Sequence, residues 1–466
     1  MTEAQGYGWT TRFPHDGRIA IVGASLAGLR AAEQLRAEGF QGQLTIIGDE
    51  PYEPYDRPPL SKQVLLGSVP AEHTALPQQG ILNAEWKFGV AAVGLDFRSK
   101  RIHLADGQEV DFDRLLIATG TRARPWPNEK EAALDGMFVL RTCDDAGQLR
   151  ERFAARPKRV LIIGAGFTGS EIASACCELG LKVTVTERGA FPLVGALGGV
   201  IGAVAADIQR QHGVDLRCNT TVSELIGDEQ GRLCGARLSD GSQLDVDVAV
   251  VALGALRNTE WLQGSGVAAG PLGVTCDAGC RAFDMNGIVT DDIFVAGDVA
   301  RFPHPLYEYQ LITLEHWGNA VAQAEIAAHN MISLEIDRRP HISVPAFWSS
   351  QFNVSIKSVG VPNFADKVAI VQGSVEERRF VAIYGHKGRI VAAVTFNQAK
   401  WLQFYRELIE AAAPFSTQLH TIEERAPGKV MLANFPNPAL PTHGPQVALT
   451  GYAPNQLRVT CVSPRT

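Results

Sequence analysis

Cysteine is absent from nearly the first third of this sequence. The first of its eight cysteines is Cys143, and no Cys-x-x-Cys pair or Cys/His spacing typical of a zinc site follows it. The cysteines are irregularly spaced and no secretory signal opens the chain, so we expect free thiols in a reducing cytoplasm. The gap before Cys143 excludes chemistry that needs a thiol early in the chain, and we expect no bound metal.

Long apolar runs and an excess of basic charge are also missing. No run reaches the roughly 18 residues of a membrane-spanning helix, and residues 193–206, the nearest, are expected to form a loop entering a buried helix. Lysine plus arginine is 43 against 50 for aspartate plus glutamate, a formal charge of −7. This balance provides no general attraction to nucleic acid or anionic membranes, so we expect neither as a partner.

Glycine, in contrast, is abundant. The chain has 46 glycines in 466 residues, nearly one in ten, where about 7% is average. This length predicts about two to four domains. Several of the glycines directly follow short apolar runs, at positions where a backbone could pass close to a ligand.

The first glycine turn connects a strand to a helix. The apolar run Arg18–Val22 is followed by Gly23-Ala-Ser-Leu-Ala-Gly28, a predicted helix at residues 29–38 and a strand at 44–47 that ends before Asp49 and Glu50. In a Gly-x-Gly-x-x-Gly turn the middle glycine lets the backbone approach a pyrophosphate. Ser25 replaces it here, which is compatible with the turn if its φ stays negative.

The second glycine turn has the complete pattern. The run Val160–Ile163 leads into Gly164-Ala-Gly-Phe-Thr-Gly169, a predicted helix at 170–179 and a strand at 182–186 that ends at Glu187. A diphosphate lies at the start of such a helix, and the terminal acid binds ribose hydroxyls. Glu187 favours NADH because it would repel the 2′-phosphate of NADPH, although the neighbouring Arg188 could weaken this preference.

The string Pro54-Tyr-Asp-Arg-Pro-Pro-Leu-Ser-Lys62 adds a specific signal. Together with both glycine turns, Ala118-Thr-Gly120, Gly297-Asp298 and Leu314-Glu-His-Trp317, it closely resembles the FAD-dependent, NADH-linked ferredoxin reductases of bacterial oxygenase and cytochrome P450 systems, such as putidaredoxin and rubredoxin reductases. The resemblance extends from about residue 18 to about residue 412.

The resemblance implies an α/β fold of the glutathione reductase type. Two Rossmann-like dinucleotide-binding domains precede a C-terminal α+β domain with an antiparallel sheet. The expected boundaries are 1–125 and 250–330 for a split FAD domain, 126–249 for the NAD(H) domain, 335–413 for the C-terminal domain and 414–466 for a proline-rich arm.

The resemblance also implies site residues. Lys62, Glu171 and Trp317 are expected at the reacting rings, with Glu171 touching the nicotinamide carboxamide. Further FAD contacts are expected from Ala27, Gly28, Asp49, Ala92, Arg141 and Asp298. Contacts to a cofactor, without division between the two, are expected from Gly23, Ser25, Glu50, Arg57, Thr119, Gly120, Gly254, Gly297, Glu315 and His316. The remaining contacts to the nicotinamide cofactor are expected from Gly164, Gly166, Phe167, Thr168, Gly169 and Glu187.

The implied reaction is hydride transfer from diffusing NADH to bound FAD, followed by single-electron transfer to a small iron–sulfur ferredoxin or to a rubredoxin. The protein would act as a cytoplasmic monomer or homodimer. Because such ferredoxins are generally acidic, a basic docking patch is expected, with candidates Arg57, Lys62, Arg122, Arg124, Arg301, Arg338, Arg339, Arg378 and Arg379.

Two alternatives share this fold. Disulfide reductases and NADH oxidases need a thiol beside the flavin, which the late first cysteine and the adjacent pair Cys176-Cys177 do not provide. A non-catalytic flavoprotein of the apoptosis-inducing-factor type would be distinguished by its lack of turnover. The chain also departs from the family pattern at Ser25, at Arg257, where proline is usual, and at Thr313, where arginine is usual.

Overall fold

Buried parallel strands form the centre of the first two domains. The computed structural model describes residues 13–417 and 428–436 and the backbone of 446–450 and 458–462. Residues 1–12 and parts of the expected C-terminal arm lie outside these ranges. The inner strands of both sheets are mainly apolar runs, because helices or a smaller sheet cover both faces.

The first sheet has six strands. In spatial order they are Arg281–Phe283, Val289–Val295, Arg114–Ile117, Arg18–Val22, Gln43–Ile47 and Glu85–Lys87. All pair in parallel except the edge strand Arg281–Phe283. One face is covered by the helices Leu26–Ala37 and Trp317–Ile332, which meet through small alanine side chains. The other face packs against a three-stranded meander of Ala92–Asp96, Arg101–Leu104 and Glu109–Asp111.

The second sheet has five parallel strands. Their order is Asp215–Cys218, Val183–Glu187, Val160–Ile163, Val248–Val251 and Met137–Val139. The helices of this domain are Glu129–Ala132, Cys143–Ala154, Phe167–Glu178 and Val194–Gln211. Its meander is formed by Val222–Gly227, Leu233–Leu238 and Gln243–Asp245. Val248–Val251 belongs wholly to this sheet, so the chain leaves it after residue 251, slightly later than the predicted boundary at 249.

Two short strands connect these domains. Thr121–Ala123 leaves the first domain and Ala255–Arg257 returns to it, and the two pair in antiparallel fashion. The first domain also contains a four-stranded sheet of Ala269–Gly270, Gly273–Thr275, Ala300–His304 and Gln310–Ile312. The paired connection brings the carboxyl ends of both parallel sheets toward one region.

The C-terminal domain is an antiparallel sheet with one helix. In order, its strands are Ala346–Gln351, Val354–Gly360, Arg389–Phe396, Arg379–His386, Lys367–Ser374 and Val430–Leu432, and its helix is Leu402–Glu410. The last strand comes from the segment expected to be a proline-rich arm. It forms a strand because its backbone pairs with the free edge of Lys367–Ser374. Gln446–Thr450 and Arg458–Val462 form a separate antiparallel pair. The predicted fold class is thus confirmed.

Two helices begin at different residues than the sequence predicts. The helices after the glycine turns start at Leu26 and Phe167, because the last glycine of each turn is already helical. Within the described ranges, no helix combines the length and the apolar character needed to cross a bilayer.

The packing of the first turn predicts the effect of a methyl group at Gly28. A Cβ there would lie 1.9 Å from the carbonyl oxygen of Gly23, so helix and strand must separate to accept it. We expect Gly28→Ala to lower the free energy of unfolding by at least about 2 kcal/mol, measured by denaturant titration.

Gly147 is the matched control, since it lies within a helix and a Cβ there meets no atom within 4 Å. Gly147→Ala should be neutral or slightly stabilising. Equal losses in the two variants would contradict the packing argument.

Candidate functional site

The first glycine turn brings a backbone close to the end of a neighbouring strand. Gly23 has a φ of +123°, and a Cβ there would lie 2.1 Å from the carbonyl oxygen of Ala118. Ser25 has a φ of −116° and caps the helix without a side-chain hydrogen bond. The serine therefore fits the turn, and the first amides of the helix remain available to an anion.

A cleft opens in front of this turn. Eight of the predicted residues line it: Gly23, Ser25, Asp49, Glu50, Arg57, Ala92, Thr119 and Arg141. Other lining residues include Tyr52, Tyr55, Thr142, Asp145, Asn258 and Trp261. The cleft thus runs from the first turn, past the acids after the second strand, to the strands that connect the two domains.

An ion pair fixes one wall of the cleft. Arg57 Nη2 lies 2.5 Å from Glu50 Oε1, and Arg57 Nη1 donates to the carbonyl of Arg141 at 2.8 Å. The Tyr55 hydroxyl donates to Glu50 and accepts from Arg57. The stiff Pro-Pro segment therefore places the Arg57–Glu50 ion pair along one side of the cleft, beside the turn.

The second glycine turn repeats the geometry of the first. Gly164 has a φ of +106°, and a Cβ on Gly169 would lie 2.0 Å from the carbonyl oxygen of Gly164. A Cβ on Gly166 would meet no atom within 4 Å. Glu187 accepts from the amide of Ala165 at 2.9 Å and from that of Gly189 at 2.6 Å. This carboxylate is thus fixed at the rim of the turn.

Both turns fit a dinucleotide. Each starts a helix of 12 residues whose N-cap makes no side-chain hydrogen bond, and neither helix has an acidic residue in its first turn. Such an end attracts a pyrophosphate. The cleft in front of the first turn fits FAD, and the open surface at Gly166, next to Phe167 and Thr168, fits a nicotinamide dinucleotide.

A largely buried ion pair joins the Pro-Pro loop of the first domain to the helix that follows the second turn. Lys62 Nζ is 2.7 Å from Glu171 Oε2, and the two side chains are 17% and 8% exposed. Glu171 also accepts from Ser61 Oγ at 2.5 Å and from Ser349 Oγ at 2.6 Å. Because the helix starts at Phe167, Glu171 lies in its second turn, not in its first as we expected from the sequence.

Charged and aromatic side chains surround the start of the helix Trp317–Ile332. Asp298 pairs with Arg141 at 2.9 Å, and Trp317 Nε1 donates to Asp56 at 2.9 Å. Burial lowers the pKa of His316 to about 4, so the ring is neutral at physiological pH. His316 Nδ1 is buried without a hydrogen-bond partner among the described residues, so it can form a hydrogen bond with the ring of a bound cofactor.

Two of the departures from the family pattern meet in space. Arg257 Nη2 donates to Thr313 Oγ1 at 3.1 Å and lies 3.0 Å from Glu315 Oε1. A guanidinium from the connecting strand thus reaches the neighbourhood of position 313, where arginine is usual.

Five further predicted cofactor contacts do not line this cleft: Ala27, Gly28, Gly120, Gly254 and Gly297. A Cβ on Gly297 would lie 3.2 Å from that of Ala27, which shows close packing between the strand end and the first helix.

Three contacts were missed from the sequence. Tyr55 and Asp56 lie inside the quoted Pro-Tyr-Asp-Arg string, which could have pointed to them. Ser349 comes from a strand of the C-terminal domain, 178 residues from Glu171, and no local pattern marks it.

The seven cysteines whose side chains the structure describes form no disulfide. Cys143 lies next to the cleft, where its amide donates to the Tyr55 hydroxyl at 3.1 Å. Cys276 and Cys280 are fully buried, and burial raises the pKa of both thiols well above the usual range. No group of three or more potential metal ligands occurs in the described part of the chain.

The chain matches known families over most of its length. Residues 17–324 match the pyridine nucleotide-disulphide oxidoreductase family, and residues 346–423 match the reductase C-terminal family. A protein named probable ferredoxin reductase from Castellaniella defragrans is 34% identical over 82% of this chain and 90% of its own. Rhodocoxin reductase from Rhodococcus erythropolis is 33% identical over 86% and 91%.

A solved structure shows the same architecture. The covalent putidaredoxin reductase–putidaredoxin complex superposes with a TM-score of 0.81 at 28% identity, covering 87% of this chain and 96% of the other.

Breaking the ion pair between Lys62 and Glu171 should strongly lower the free energy of unfolding. Glu171→Gln leaves the shielded lysine charge without a carboxylate, and the free energy of unfolding should fall by about 3 kcal/mol. Adding Lys62→Met should recover part of this loss, because the double variant contains no unpaired charge. Denaturant titration of the cofactor-loaded protein measures both effects.

Glu178 on the same helix is exposed, and Glu178→Gln should leave the stability unchanged. A double variant less stable than Glu171→Gln alone would rule out this account of the pair.

Proposed function

Because the chain belongs to the pyridine nucleotide-disulphide oxidoreductase family and also carries the reductase C-terminal domain, we propose that it is a ferredoxin reductase. It moves electrons from NADH through FAD to a small iron–sulfur protein that supplies an oxygenase or cytochrome P450. The names of the relatives support this activity. The observation that carries it is the largely buried Lys62–Glu171 pair, which joins the first domain to the helix that follows the second dinucleotide turn.

The chain binds and orients, while the cofactor performs the redox chemistry. When bound, FAD accepts two electrons together and releases them singly, which no side chain here can do. Lys62 provides positive charge and Glu171 a fixed acceptor for a nicotinamide carboxamide. The amino end of the helix Trp317–Ile332 stabilises negative charge near the ring. In this proposal residues 1–125 and 250–330 bind FAD and residues 126–249 bind the nicotinamide cofactor.

The unpaired, largely buried thiols argue against a disulfide reductase. They also suit a reducing compartment, and we propose a cytoplasmic protein that works as a monomer or homodimer. A non-catalytic flavoprotein would have the same two turns, so turnover with NADH distinguishes the two functions.

The preferred nicotinamide cofactor follows from Glu187. Both of its oxygens already accept hydrogen bonds from backbone amides, those of Ala165 and Gly189. The carboxylate therefore cannot rotate away from a ribose bound at the turn. A 2′-phosphate would face this fixed negative charge, which supports NADH over NADPH.

We expect Glu187→Gln to raise kcat/KM for NADPH relative to NADH by roughly tenfold, about 1.4 kcal/mol. The amide keeps one acceptor oxygen for the turn but removes the charge. Glu229→Gln, at an exposed site in the same domain, should leave the ratio unchanged. An unchanged ratio in Glu187→Gln would contradict a role for this charge in selectivity.

The docking surface that we propose differs from the basic patch expected from the sequence. Four of the candidate cations are paired with carboxylates of the chain itself: Arg57, Lys62, Arg122 and Arg338. Their charges are therefore partly cancelled before any partner arrives.

A groove in the C-terminal domain is a better docking surface. It starts at Trp348, whose ring meets that of Trp317 edge-on at 6.1 Å between centroids, and it contains Lys357, Lys400 and Arg406. None of these three cations lies within ion-pair distance of a carboxylate in the described ranges. We call this surface the Trp348 groove. It offers an acidic protein a partly exposed aromatic ring and unpaired positive charge near the expected flavin.

The turnover assay tests both the function and this surface. The purified, FAD-loaded protein should reduce an acidic [2Fe–2S] ferredoxin at the expense of NADH. Lys400→Glu with Arg406→Glu should raise the KM for ferredoxin roughly tenfold at low salt. Ferricyanide, which needs no docking surface, should be reduced at the original rate.

Lys158 is exposed in the second domain, and Lys158→Glu is the control for a change in net charge. Loss of both activities in the groove variant would exclude a docking role. Absence of NADH-dependent reduction of either acceptor by the unaltered protein would refute the proposed function.

A further inference from the structure

A segment beyond the matched families joins two domains. The match to the reductase C-terminal family ends at residue 423, and the described chain resumes at 428. Val430–Leu432 adds a strand to the edge of the C-terminal sheet, and Ala433 N donates to the carbonyl of Asp366 at 3.0 Å. We call residues 430–435 the clasp.

The clasp also contacts a helix of the second domain. The helix Val194–Gln211 is interrupted at Gly198, whose φ is +75°. The break leaves the amide of Gly199 without a partner inside its helix. This amide donates to the carbonyls of Ala433 at 2.9 Å and Asn434 at 3.2 Å. A Cβ on Gly198 would lie 2.3 Å from the Ala433 oxygen, so the kink and the clasp fit each other closely.

A tyrosine of the C-terminal sheet supports the other side of the kink. The Tyr384 hydroxyl donates to the carbonyl of Leu197 at 2.7 Å, and Tyr384 is fully buried. The ring of Phe435 lies 6.3 Å from that of Tyr384. Both broken ends of the helix are therefore hydrogen-bonded by groups that belong to or pack against the C-terminal domain.

The start of the same helix contacts the second glycine turn. Leu193, its N-cap, donates to the carbonyl of Ala165 at 2.9 Å. The amide of Ala165 in turn donates to Glu187 at 2.9 Å. The backbone of residues 193–199 thus connects the clasp, bonded at Gly199, to the turn, bonded at Leu193, and the turn is bonded to the acid at its rim.

We propose that the clasp is a positioning element for the nicotinamide dinucleotide. It keeps the helix kinked, and the kinked helix fixes the turn and the acid that bind the adenosine half of the cofactor. This inference rests on the proposed function, because it assumes that NADH binds at the second turn. It assigns the clasp no role in FAD binding, because its contacts are to the second and C-terminal domains.

Two truncations of the full chain test the proposal. A chain ending at residue 427 lacks the clasp, and a chain ending at 436 keeps it while losing the rest. With FAD bound, the first should bind ADP-ribose at least fivefold more weakly and show a correspondingly higher KM for NADH. Its rate of ferricyanide reduction at saturating NADH should stay within twofold. The second truncation should match the full chain.

Two tyrosine variants test the same idea without deleting residues. Tyr384→Phe removes the bond to Leu197 and should raise the KM for NADH at least twofold. Tyr405→Phe is the control, because its buried hydroxyl donates at 2.7 Å to Gln372 within the same domain. It should alter stability but not the KM.

Equal affinity for ADP-ribose in the 427 truncation and the full chain would overturn the role proposed for the clasp and leave the proposed function intact. So would equal changes of KM in the two tyrosine variants. A full chain that bound neither NADH nor ADP-ribose would overturn the proposed function and this inference with it.

Discussion

One buried carboxylate connects the three domains. Glu171 belongs to the second domain, accepts hydrogen bonds from Ser61 and Lys62 of the first and from Ser349 of the third, and is 8% exposed. A charge so shielded is tolerable only with such partners. The arrangement requires the loop with the two prolines, the second turn helix and the first strand of the C-terminal sheet to meet at one point. In our proposal, the rings of the two dinucleotides meet at this point.

The fold and the two turns could be predicted because their signals are local. A strand, a glycine turn, a helix and a terminal acid follow one another within about thirty residues. The steric reason for each glycine is likewise short-range, as at Gly23 and Gly164. For Ser25 the sequence supplied only a condition, a negative φ, and the structure meets it with a φ of −116°.

What the sequence could not supply depends on distant contacts. Ser349 reaches Glu171 from 178 residues away. Arg257 and Thr313, two separate departures in the sequence, become neighbours only in the folded chain. The docking prediction included four cations that pair with acids of the same chain, and a sequence pattern gives no information on such pairing. The clasp was missed for a similar reason, because its partner is a helix more than two hundred residues earlier.

The central claim is that electrons pass from a nicotinamide dinucleotide at the second turn to FAD in the first cleft. Anaerobic stopped-flow mixing of the FAD-loaded protein with NADH measures this step directly. We predict complete bleaching of the flavin absorbance, at a rate no slower than steady-state turnover, and recovery of the absorbance on adding oxidised ferredoxin. Bleaching that is absent or slower than turnover would contradict the account.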